Sequence, residues 1–411
     1  MRVTEGMERV RENQMRGLGR RLVIAAAVLL TAAMMLLFSS CTGDADEASS
    51  AGGSSGGLQW WELRTAGSME LLYAHEFSVD YYEGGYSLIK MSDDSRFLLL
   101  PEDAEVPGGL DDDITVLKGP VDSIYLAASA VMDHFCKLDA LDAIALSGTK
   151  ADSWYIEEAR QAMEDGNILY AGKYSAPDYE MILESGCGLA IESTMIFHAP
   201  EVKEQMEARG IPVLVDYSSY ESHPLGRSEW IKLYGLLTGR EEQAEAVFQE
   251  QVEKLNAVTA AVEEKRSGDE IPTVAFFYIT SSGGVNVRKS GDYVSEMIQM
   301  AGGDYVFDHI GSGDTATATE TIQMEDFYAG ARDADYLIYN STIDGEIETV
   351  DQLVAKSSLL ADFKAVKSGN VYCTGKNMYQ ETTETGTMTY DIYQMLYGGE
   401  TAEMRFLYKL K

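Results

Sequence analysis

Residues 240–266 read REEQAEAVFQEQVEKLNAVTAAVEEKR, and this stretch determines the architecture of the whole chain. Its apolar side chains recur at steps of three and four residues, with acidic side chains between them, at Ala244, Val247, Phe248, Val252, Leu255, Val258 and Val262. This spacing is typical of a helix with one apolar face. Gly268 and Pro272 then end the pattern. The sequence therefore predicts one long amphipathic helix near the middle of the chain.

Short apolar runs alternate with amphipathic segments on both sides of this helix. The runs that read as strands are 123–127, 143–146, 168–171, 189–192 and 211–215 before it, and 273–280, 336–339 and 371–374 after it. Such alternation is typical of parallel sheets that helices cover on both faces. The predicted fold class is α/β, with two doubly wound α/β lobes joined by one long backbone helix.

A different pattern occupies the residues before the first lobe. The run that starts at Phe77 and the run that starts at Tyr86 alternate around Gly84-Gly85, which predicts a β-hairpin. We therefore expect a small N-terminal β extension. The predicted divisions are a signal peptide at 1–40, a flexible tether at 41–57, the β extension at 58–113, the N-terminal α/β lobe at 114–239, the connecting helix at 240–268 and the C-terminal α/β lobe at 269–411.

The first residues resemble an export signal. Six arginines precede an apolar run at 22–38, which is short for a membrane span, and Ser39-Ser40-Cys41 follows. A cysteine after small residues is similar to a bacterial lipoprotein signal, with Cys41 as the lipidated first residue of the mature chain. The alternative is an uncleaved signal anchor in which Cys41 is incidental. Stable anchoring to a bilayer needs two or more acyl chains.

Composition excludes some function classes. The formal net charge is -35, and a surface so acidic argues against binding nucleic acid, whose phosphates are neutralised by Lys and Arg. Besides Cys41 the chain has Cys136, Cys187 and Cys373, an odd number in apolar surroundings. We expect these three to be small buried side chains and not a disulfide framework.

Four stretches carry a resemblance to a known family. They are Met-Ala-Gly-Gly-Asp at 300–304, Gly-Ile-Pro-Val at 210–213, the segment 218–232 that runs into the long helix, and the segment 172–180. In order and spacing they resemble ABC-transporter substrate-binding proteins of the siderophore, haem and cobalamin type, from about residue 114 to the end. The resemblance implies a monomeric receptor that hands its cargo to a permease driven by an ATPase. Within this family the chain resembles in particular lipoproteins of Gram-positive gut anaerobes.

Two glutamates match the permease-docking positions of that family. The resemblance implies that Glu180 and Glu325, one on each lobe, engage arginines of the permease. Exposed carboxylates near helix N-termini stay ionised, and a carboxylate–arginine pair is bidentate and directional. The alternative is that both residues only complement the helix dipole.

Ligands of doubly wound sheets bind beyond the carboxyl ends of the strands. The loops expected there carry aromatic and cationic side chains, which suit a bulky or anionic chelate. The candidate ligand-binding residues are Trp154, Lys173, Tyr174, Met195, His198, Tyr217, Tyr220, Arg227, Arg288 and Tyr379. Each could instead be an ordinary packing residue.

The expected cargo is a ferric siderophore, haem or a corrinoid, and no cofactor of the protein's own is expected. Met195 or His198 could be an axial ligand to haem iron. A receptor for bare Zn or Mn is an alternative, since histidine and carboxylates bind these ions.

A second alternative is a surface hydrolase, because Ser147-Gly-Thr-Lys150 matches Ser-x-x-Lys. That chemistry needs the pair on a helix and a later Lys-Thr-Gly strand, which the sequence lacks. We therefore expect a binding protein and not an enzyme.

Overall fold

In the computed structural model, residues 58–265, 270–311, 318–399 and 403–411 are described. The expected signal peptide, Cys41 and the tether lie outside these residues and stay predictions. Gly57–Lys411 forms one compact unit. Among the helices described, none has the length and apolar character that crossing a bilayer requires.

The N-terminal extension is a five-stranded sheet. Its strands are β1 (Thr65–Ser68), β2 (Phe77–Tyr82), β3 (Ser87–Met91), β4 (Arg96–Leu100) and β5 (Ile114–Lys118), paired in that order. The predicted hairpin is confirmed, because β2 and β3 are antiparallel. Its turn holds Gly84 and Gly85 at φ of 86° and 85°, which glycine adopts without strain. β5 lies parallel to β4, so the sheet ends at Lys118 and not at the predicted boundary of 113. The apolar run of β5 resembles a strand of the next lobe, and only its pairing with β4 assigns it to this sheet.

The N-terminal lobe is built on a parallel sheet. Its strands are β6 (Ile124–Leu126), β7 (Ile144–Ser147), β8 (Leu169–Tyr170), β9 (Gly172–Lys173), β10 (Ala176–Pro177), β11 (Leu189–Ser193) and β12 (Val213–Asp216). The sheet order is β12-β11-β6-β7-β8, all parallel, while β9 and β10 form a separate antiparallel pair. The helices between these strands are α1 (Met132–Lys137), α2 (Glu157–Glu164), α3 (Tyr179–Glu184) and α4 (Pro200–Glu207).

Three helices lead out of this lobe. They are α5 (Pro224–Glu229), α6 (Ile231–Thr238) and α7 (Glu241–Lys265). The predicted long helix is confirmed as α7, and one face of it buries the predicted positions Ala244, Phe248, Leu255, Val258 and Val262. Gly239 ends α6 with φ of 67°, which allows the sharp turn into α7.

The C-terminal lobe is built on a mixed sheet. Its strands are β13 (Thr273–Ile279), β14 (Val285–Arg288), β15 (Asp304–Tyr305), β16 (Thr319–Ile322), β17 (Tyr336–Tyr339), β18 (Val371–Thr374) and β19 (Leu407–Lys409). The order is β16-β14-β13-β17-β18-β19, with β15 also beside β13. The helices are α8 (Tyr293–Met300), α9 (Met324–Ala331), α10 (Ser341–Asp344), α11 (Val350–Lys356), α12 (Lys364–Ser368) and α13 (Thr385–Tyr397).

Two features of this lobe differ from expectation. β14, β16 and β19 are antiparallel to their neighbours, so the parallel part of the sheet is confined to β13, β15, β17 and β18. The sequence pattern at 359–366 predicts a single helix, but this helix is interrupted at Phe363, whose backbone is extended. Phe363 is fully buried, so packing of this ring overrides the local helical pattern.

Each lobe has its own hydrophobic core. The N-terminal core includes Phe77 of the extension together with Phe248 and Leu255 of α7. The C-terminal core is a separate cluster around β13, β17 and α13. Because α7 also packs against α13, it contacts both lobes. The predicted α/β class, with two lobes joined by one long helix, is confirmed.

Candidate functional site

The carboxyl ends of parallel strands in both lobes meet where the lobes touch. Gln380, which follows β18, accepts a hydrogen bond from the backbone N–H of Tyr155 (2.7 Å) and donates one to the carbonyl of Ser153 (2.9 Å), both after β7. Nearby, Lys376 Nζ lies 5.3 Å from the ring centroid of Tyr155. Loops in this position bind ligands in doubly wound sheets. The loops at this junction therefore form the candidate site.

Two buried arginines from opposite lobes lie beside one aromatic ring. Arg227 of α5 is 6% exposed, and its Cζ lies 4.1 Å from the ring centroid of Tyr293 in α8. Arg288, the last residue of β14, is 9% exposed, and its Cζ lies 5.9 Å from the same centroid. Cation–π contacts of this kind stabilise guanidinium groups where water is excluded. The sequence singled out both arginines, and the structure brings them together.

These two arginines differ in how their charge is balanced. Arg288 Nη1 lies 3.5 Å from Asp292 Oδ2, and Nη2 donates to the Tyr379 hydroxyl. Burial alone would lower the pKa of Arg288, but Tyr379 and Asp292 outweigh burial and raise it. Within the part of the chain that the structure describes, Arg227 makes no side-chain hydrogen bond and no close ion pair, and its charge is balanced only by the longer-range attraction of the buried carboxyl groups of Asp216 and Asp292. A buried cation whose N–H groups have no hydrogen-bond acceptor is costly, and a bound anion offsets that cost.

An exposed apolar surface lies on the loops after β11 and β12. Met195, Phe197 and Tyr220 are 45%, 48% and 46% exposed. Tyr217 lies between them, with its ring centroid 6.1 Å from that of Phe197 and 5.7 Å from that of Tyr220. We call these four residues, three aromatic rings and the adjoining Met195, the aromatic patch. Large exposed apolar groups that cluster mark binding surfaces. Phe197 is not among the ligand-binding residues predicted from the sequence, although it lies only two residues after the predicted Met195.

The other predicted ligand-binding residues are scattered. Trp154 is only 2% exposed and belongs to the N-terminal core, so it is a packing residue. Lys173 is exposed on β9, and Tyr174 is half-buried in the turn between β9 and β10. His198 is exposed and ends the turn of 3₁₀ helix that also contains Met195.

Glu180 and Glu325 occupy equivalent positions in the two lobes. Each is the second residue of its helix, α3 or α9, and each is exposed. The helix is followed in one case by β11 and in the other by β17. Their geometry suits contact with a partner, although their docking role stays a prediction.

Ser147 and Lys150 are not arranged as a nucleophile and its base. Ser147 is fully buried, and its Oγ donates to the carbonyl of Thr149 (2.8 Å) and accepts from the N–H of Thr149 (3.0 Å). Lys150 Nζ lies 5.6 Å from the ring centroid of Tyr170. The serine hydroxyl therefore closes a turn.

Histidine and carboxylate side chains offer little support for a bare metal ion. His223 Nδ1 accepts the N–H of Leu225 (3.1 Å), and burial lowers the pKa of His223 to about 4. Within the described ranges, no three His, Cys, Asp or Glu side chains are grouped so that they could hold a metal ion.

One buried carboxyl near the candidate site has no partner. Glu192 in β11 is 0% exposed, and among the described residues neither of its carboxyl oxygens makes a hydrogen bond. Burial raises the pKa of Glu192 to about 8. Glu192 is therefore neutral at pH 7, since an ionised carboxylate in this position would be strongly destabilising.

Comparisons with known proteins agree with this architecture. Two uncharacterized lipoproteins of Methanocaldococcus jannaschii are 26% and 24% identical to the chain; they cover 77% and 82% of it, and the matches span 77% and 86% of the relatives. A periplasmic heme binding protein from Pseudomonas aeruginosa has a TM-score of 0.55 at 15% identity, over 71% of this chain and 98% of that one. At such identity, the likeness shows the fold alone.

A further solved structure has the same fold. The ABC-type Fe3+-hydroxamate transport system from Saccharomonospora viridis has a TM-score of 0.52 at 19% identity, over 68% of this chain and 94% of that one. A family model described as periplasmic binding protein matches residues 132–378, which is more than half of the chain. The predicted resemblance is thus confirmed, and the chain belongs to the periplasmic binding protein family.

Proposed function

We propose that this protein is a lipid-anchored, extracytoplasmic substrate-binding protein of an ABC importer. It captures a metal chelate between its two lobes and delivers it to a permease that an ATPase drives. The chelate is a ferric siderophore, haem or a corrinoid, bound as cargo and left chemically unchanged. Family membership supports the role of receptor, and the names of the two solved structures support the class of cargo.

The choice of cargo depends on the guanidinium of Arg227, whose N–H groups find no hydrogen-bond acceptor among the described residues. This guanidinium is buried where the two lobes meet, beside Tyr293 and near Arg288. An anionic group that enters here gains a charge-assisted hydrogen bond and relieves the cost of the buried charge. Many iron chelates, and the propionates of haem, carry such groups. The site therefore favours an anionic chelate over a bare cation.

The aromatic patch supports a large cargo. Met195, Phe197 and Tyr220 offer exposed apolar surface that a small ion would leave uncovered. Flat or bulky ligands gain most of their affinity from such walls. Met195 and His198 are exposed on one turn, so either side chain can approach a haem iron.

Anchoring and localisation follow from the sequence before residue 58. Cys41 carries the proposed lipid, and the two Methanocaldococcus jannaschii relatives are themselves named lipoproteins. Since these relatives come from an archaeon, they lend no support to the Gram-positive source that the sequence resemblance predicts. Membrane extraction of the full chain and of a Cys41→Ala variant tests the anchor. Retention of the variant in the membrane fraction would contradict lipidation at Cys41.

A ligand screen tests the proposed function. The soluble part of the mature chain is titrated with ferric hydroxamates, ferric catecholates, haemin and cobalamins, and binding is followed by intrinsic fluorescence and visible absorption. We expect saturable binding of one class. Failure of every class to bind would refute the proposal. Saturable binding of Zn²⁺ or Mn²⁺ alone would replace it with the bare-metal alternative.

A further inference from the structure

The N-terminal extension contacts the segment that carries Arg227. The connection between β1 and β2, residues 69–76, lies against α5; we call it the strap. Five successive backbone N–H groups of the strap, from Leu72 to Glu76, donate hydrogen bonds to two carboxylates of the N-terminal lobe. Those carboxylates, Glu221 and Glu229, lie on either side of Arg227 in the sequence.

Glu229, the last residue of α5, is 0% exposed. Its carboxylate accepts hydrogen bonds from the N–H groups of Leu72 (2.9 Å), Tyr73 (2.7 Å) and Ala74 (2.9 Å). Lys232 Nζ lies 3.1 Å from the same carboxylate. Without the strap, this buried carboxylate would lose three of its donors, and unsatisfied buried charges are strongly destabilising.

Glu221 holds the other end of the strap. It accepts from the N–H groups of His75 (2.9 Å) and Glu76 (3.0 Å) and from Trp230 Nε1 (3.0 Å). Next to this contact, the rings of Tyr73 and His223 stack with centroids 4.4 Å apart. The strap therefore fixes the chain before α5 as well as the end of α5.

α5 is held between the strap and the C-terminal lobe. A Cβ at Gly226 would lie 3.0 Å from the carbonyl oxygen of Tyr73, so the strap approaches the helix so closely that a larger residue would force the two apart by a few tenths of an ångström. On the other side, Ser228 Oγ donates to the carbonyl of Thr383 (2.7 Å). Arg227 lies between these two contacts, so its backbone position depends on both.

A second part of the extension reaches the aromatic patch. The turn between β3 and β4, residues 92–95, is linked to the strap by a hydrogen bond from the N–H of Ser92 to the carbonyl of Glu76 (2.9 Å). Burial, and then the charge and hydrogen bond of Asp93 in this turn, raise the pKa of Tyr217. Asp93 therefore contacts the one buried member of the aromatic patch.

We infer that the N-terminal extension is a positioning element of the ligand site. The strap sets the place of Arg227 through Glu221 and Glu229. The inference rests on the proposed function of the two lobes, but it concerns a segment outside both of them. It assigns a role to residues that lie before the stretch matched by the family model.

The first test needs no ligand. Hydrogen exchange is measured on the mature chain and on Glu229→Gln, which keeps the side-chain volume but loses the charge. We expect exchange in residues 224–229 to accelerate about tenfold and exchange in α8 to stay the same. Asp113→Asn is the matched control, because its carboxylate pairs with Arg96 elsewhere on the extension. Unchanged exchange at 224–229 would overturn the inference. If exchange also rises in α8, Glu221→Gln decides instead, through the exchange of residues 221–226, because Glu221 accepts the N–H groups of His75 and Glu76.

The second test uses haemin as the probe and asks whether Glu229 acts through Arg227. Glu229→Gln should weaken haemin binding about tenfold in the otherwise unaltered chain and have no further effect in an Arg227→Gln background. An equal loss in both backgrounds would overturn the inference. If haemin fails to bind the unaltered chain, that result counts against haem as the cargo, and the exchange experiment alone decides the role of the strap.

Discussion

Lys137 and Glu384 form an ion pair that joins the two lobes, with Lys137 Nζ 2.5 Å from Glu384 Oε1. The same carboxylate accepts from Gln251 Nε2 (3.2 Å) on α7 and lies 3.5 Å from Lys254 Nζ. Arg405, before β19, lies 3.5 Å from it. One buried side chain therefore connects the N-terminal lobe, the long helix and the C-terminal lobe.

The first prediction concerns the stability that Glu384 provides. Glu384→Gln should lower the free energy of unfolding by about 2 kcal/mol at neutral pH, because Lys137 and Lys254 lose their shared partner. Burial alone would raise the pKa of Glu384. The hydrogen bonds from Lys137 and Thr387, together with the charges of Lys137 and Lys254, outweigh burial and lower the pKa of Glu384 to about 2. A lowered pKa gives stability that is present above the ordinary value near 4.5 and is lost as the pH falls toward 2.

The difference in the free energy of unfolding between the unaltered chain and Glu384→Gln should therefore become smaller as the pH falls from about 4.5 to about 2. Denaturant titrations at a series of pH values measure it. Asp113→Asn, which removes only an exposed pair with Arg96, is the control. A difference that stays constant down to pH 2 would show that the charge of Glu384 is not the cause.

The second prediction separates binding from stability at Arg227. Arg227→Gln removes a buried charge that makes no hydrogen bond and no close ion pair among the described residues, so the melting temperature should change little. Affinity for the chelate identified by the screen should fall at least about tenfold, as expected for a lost charge-assisted hydrogen bond. Arg332→Gln, at an arginine that is 53% exposed, is the control. Lower stability with unaltered affinity would mean that Arg227 is a structural residue.

The third prediction concerns Glu192. Its pKa is raised from 4.5 to about 8, so the folded state holds a proton that the unfolded state releases. The stability contributed by this proton is complete below pH 4.5, falls by about 1.4 kcal/mol per pH unit up to pH 8 and is then lost. Glu192→Gln should remove that dependence.

Thermal unfolding followed from pH 5 to pH 8 measures this effect, as the difference between the variant and the unaltered chain. The variant should gain stability relative to the unaltered chain as the pH rises. Parallel curves for the two proteins would show that Glu192 has its ordinary pKa.

The fourth prediction concerns delivery. The double variant Glu180→Ala/Glu325→Ala should abolish uptake of the identified chelate into cells and leave its affinity unchanged, because both carboxylates are exposed and lie on the helices that precede β11 and β17. Glu201→Ala, an exposed glutamate in the first turn of α4, is the matched control. Normal uptake by the double variant would exclude docking through these residues.

Strong local patterns made much of the fold predictable. The long helix and the hairpin at Phe77 each repeat one period over many residues, and the strands Tyr336–Tyr339 and Val371–Thr374 are continuous apolar runs. β14, β16 and β19 could not be predicted in this way, because they are short and carry polar or charged residues. These segments are strands because they pair with strands that are distant in the sequence, and the local sequence does not indicate that pairing.

The candidate site was predictable only in part. Residue type and loop position pointed to Arg227 and Arg288, but Trp154 has the same features and is a core residue. The sequence analysis gives no role to Glu221 and Glu229, which are buried and accept hydrogen bonds from donors about 150 residues earlier in the chain. No local pattern reports such a distant partner.

The strap also bears on how the chain can be divided. The range that defines its family begins at residue 132 and stops at 378, which omits both the backbone donors at Leu72–Glu76 and the carboxylate at Glu384. A fragment trimmed to that range would leave the buried carboxylates of Glu221 and Glu229 without their backbone donors and would lose the ion pair between Lys137 and Glu384. The smallest part of the chain expected to fold on its own is thus longer than the stretch that the family model matches. Truncations for crystallography or biosensors should start upstream of Thr65 and retain the C-terminal strand β19.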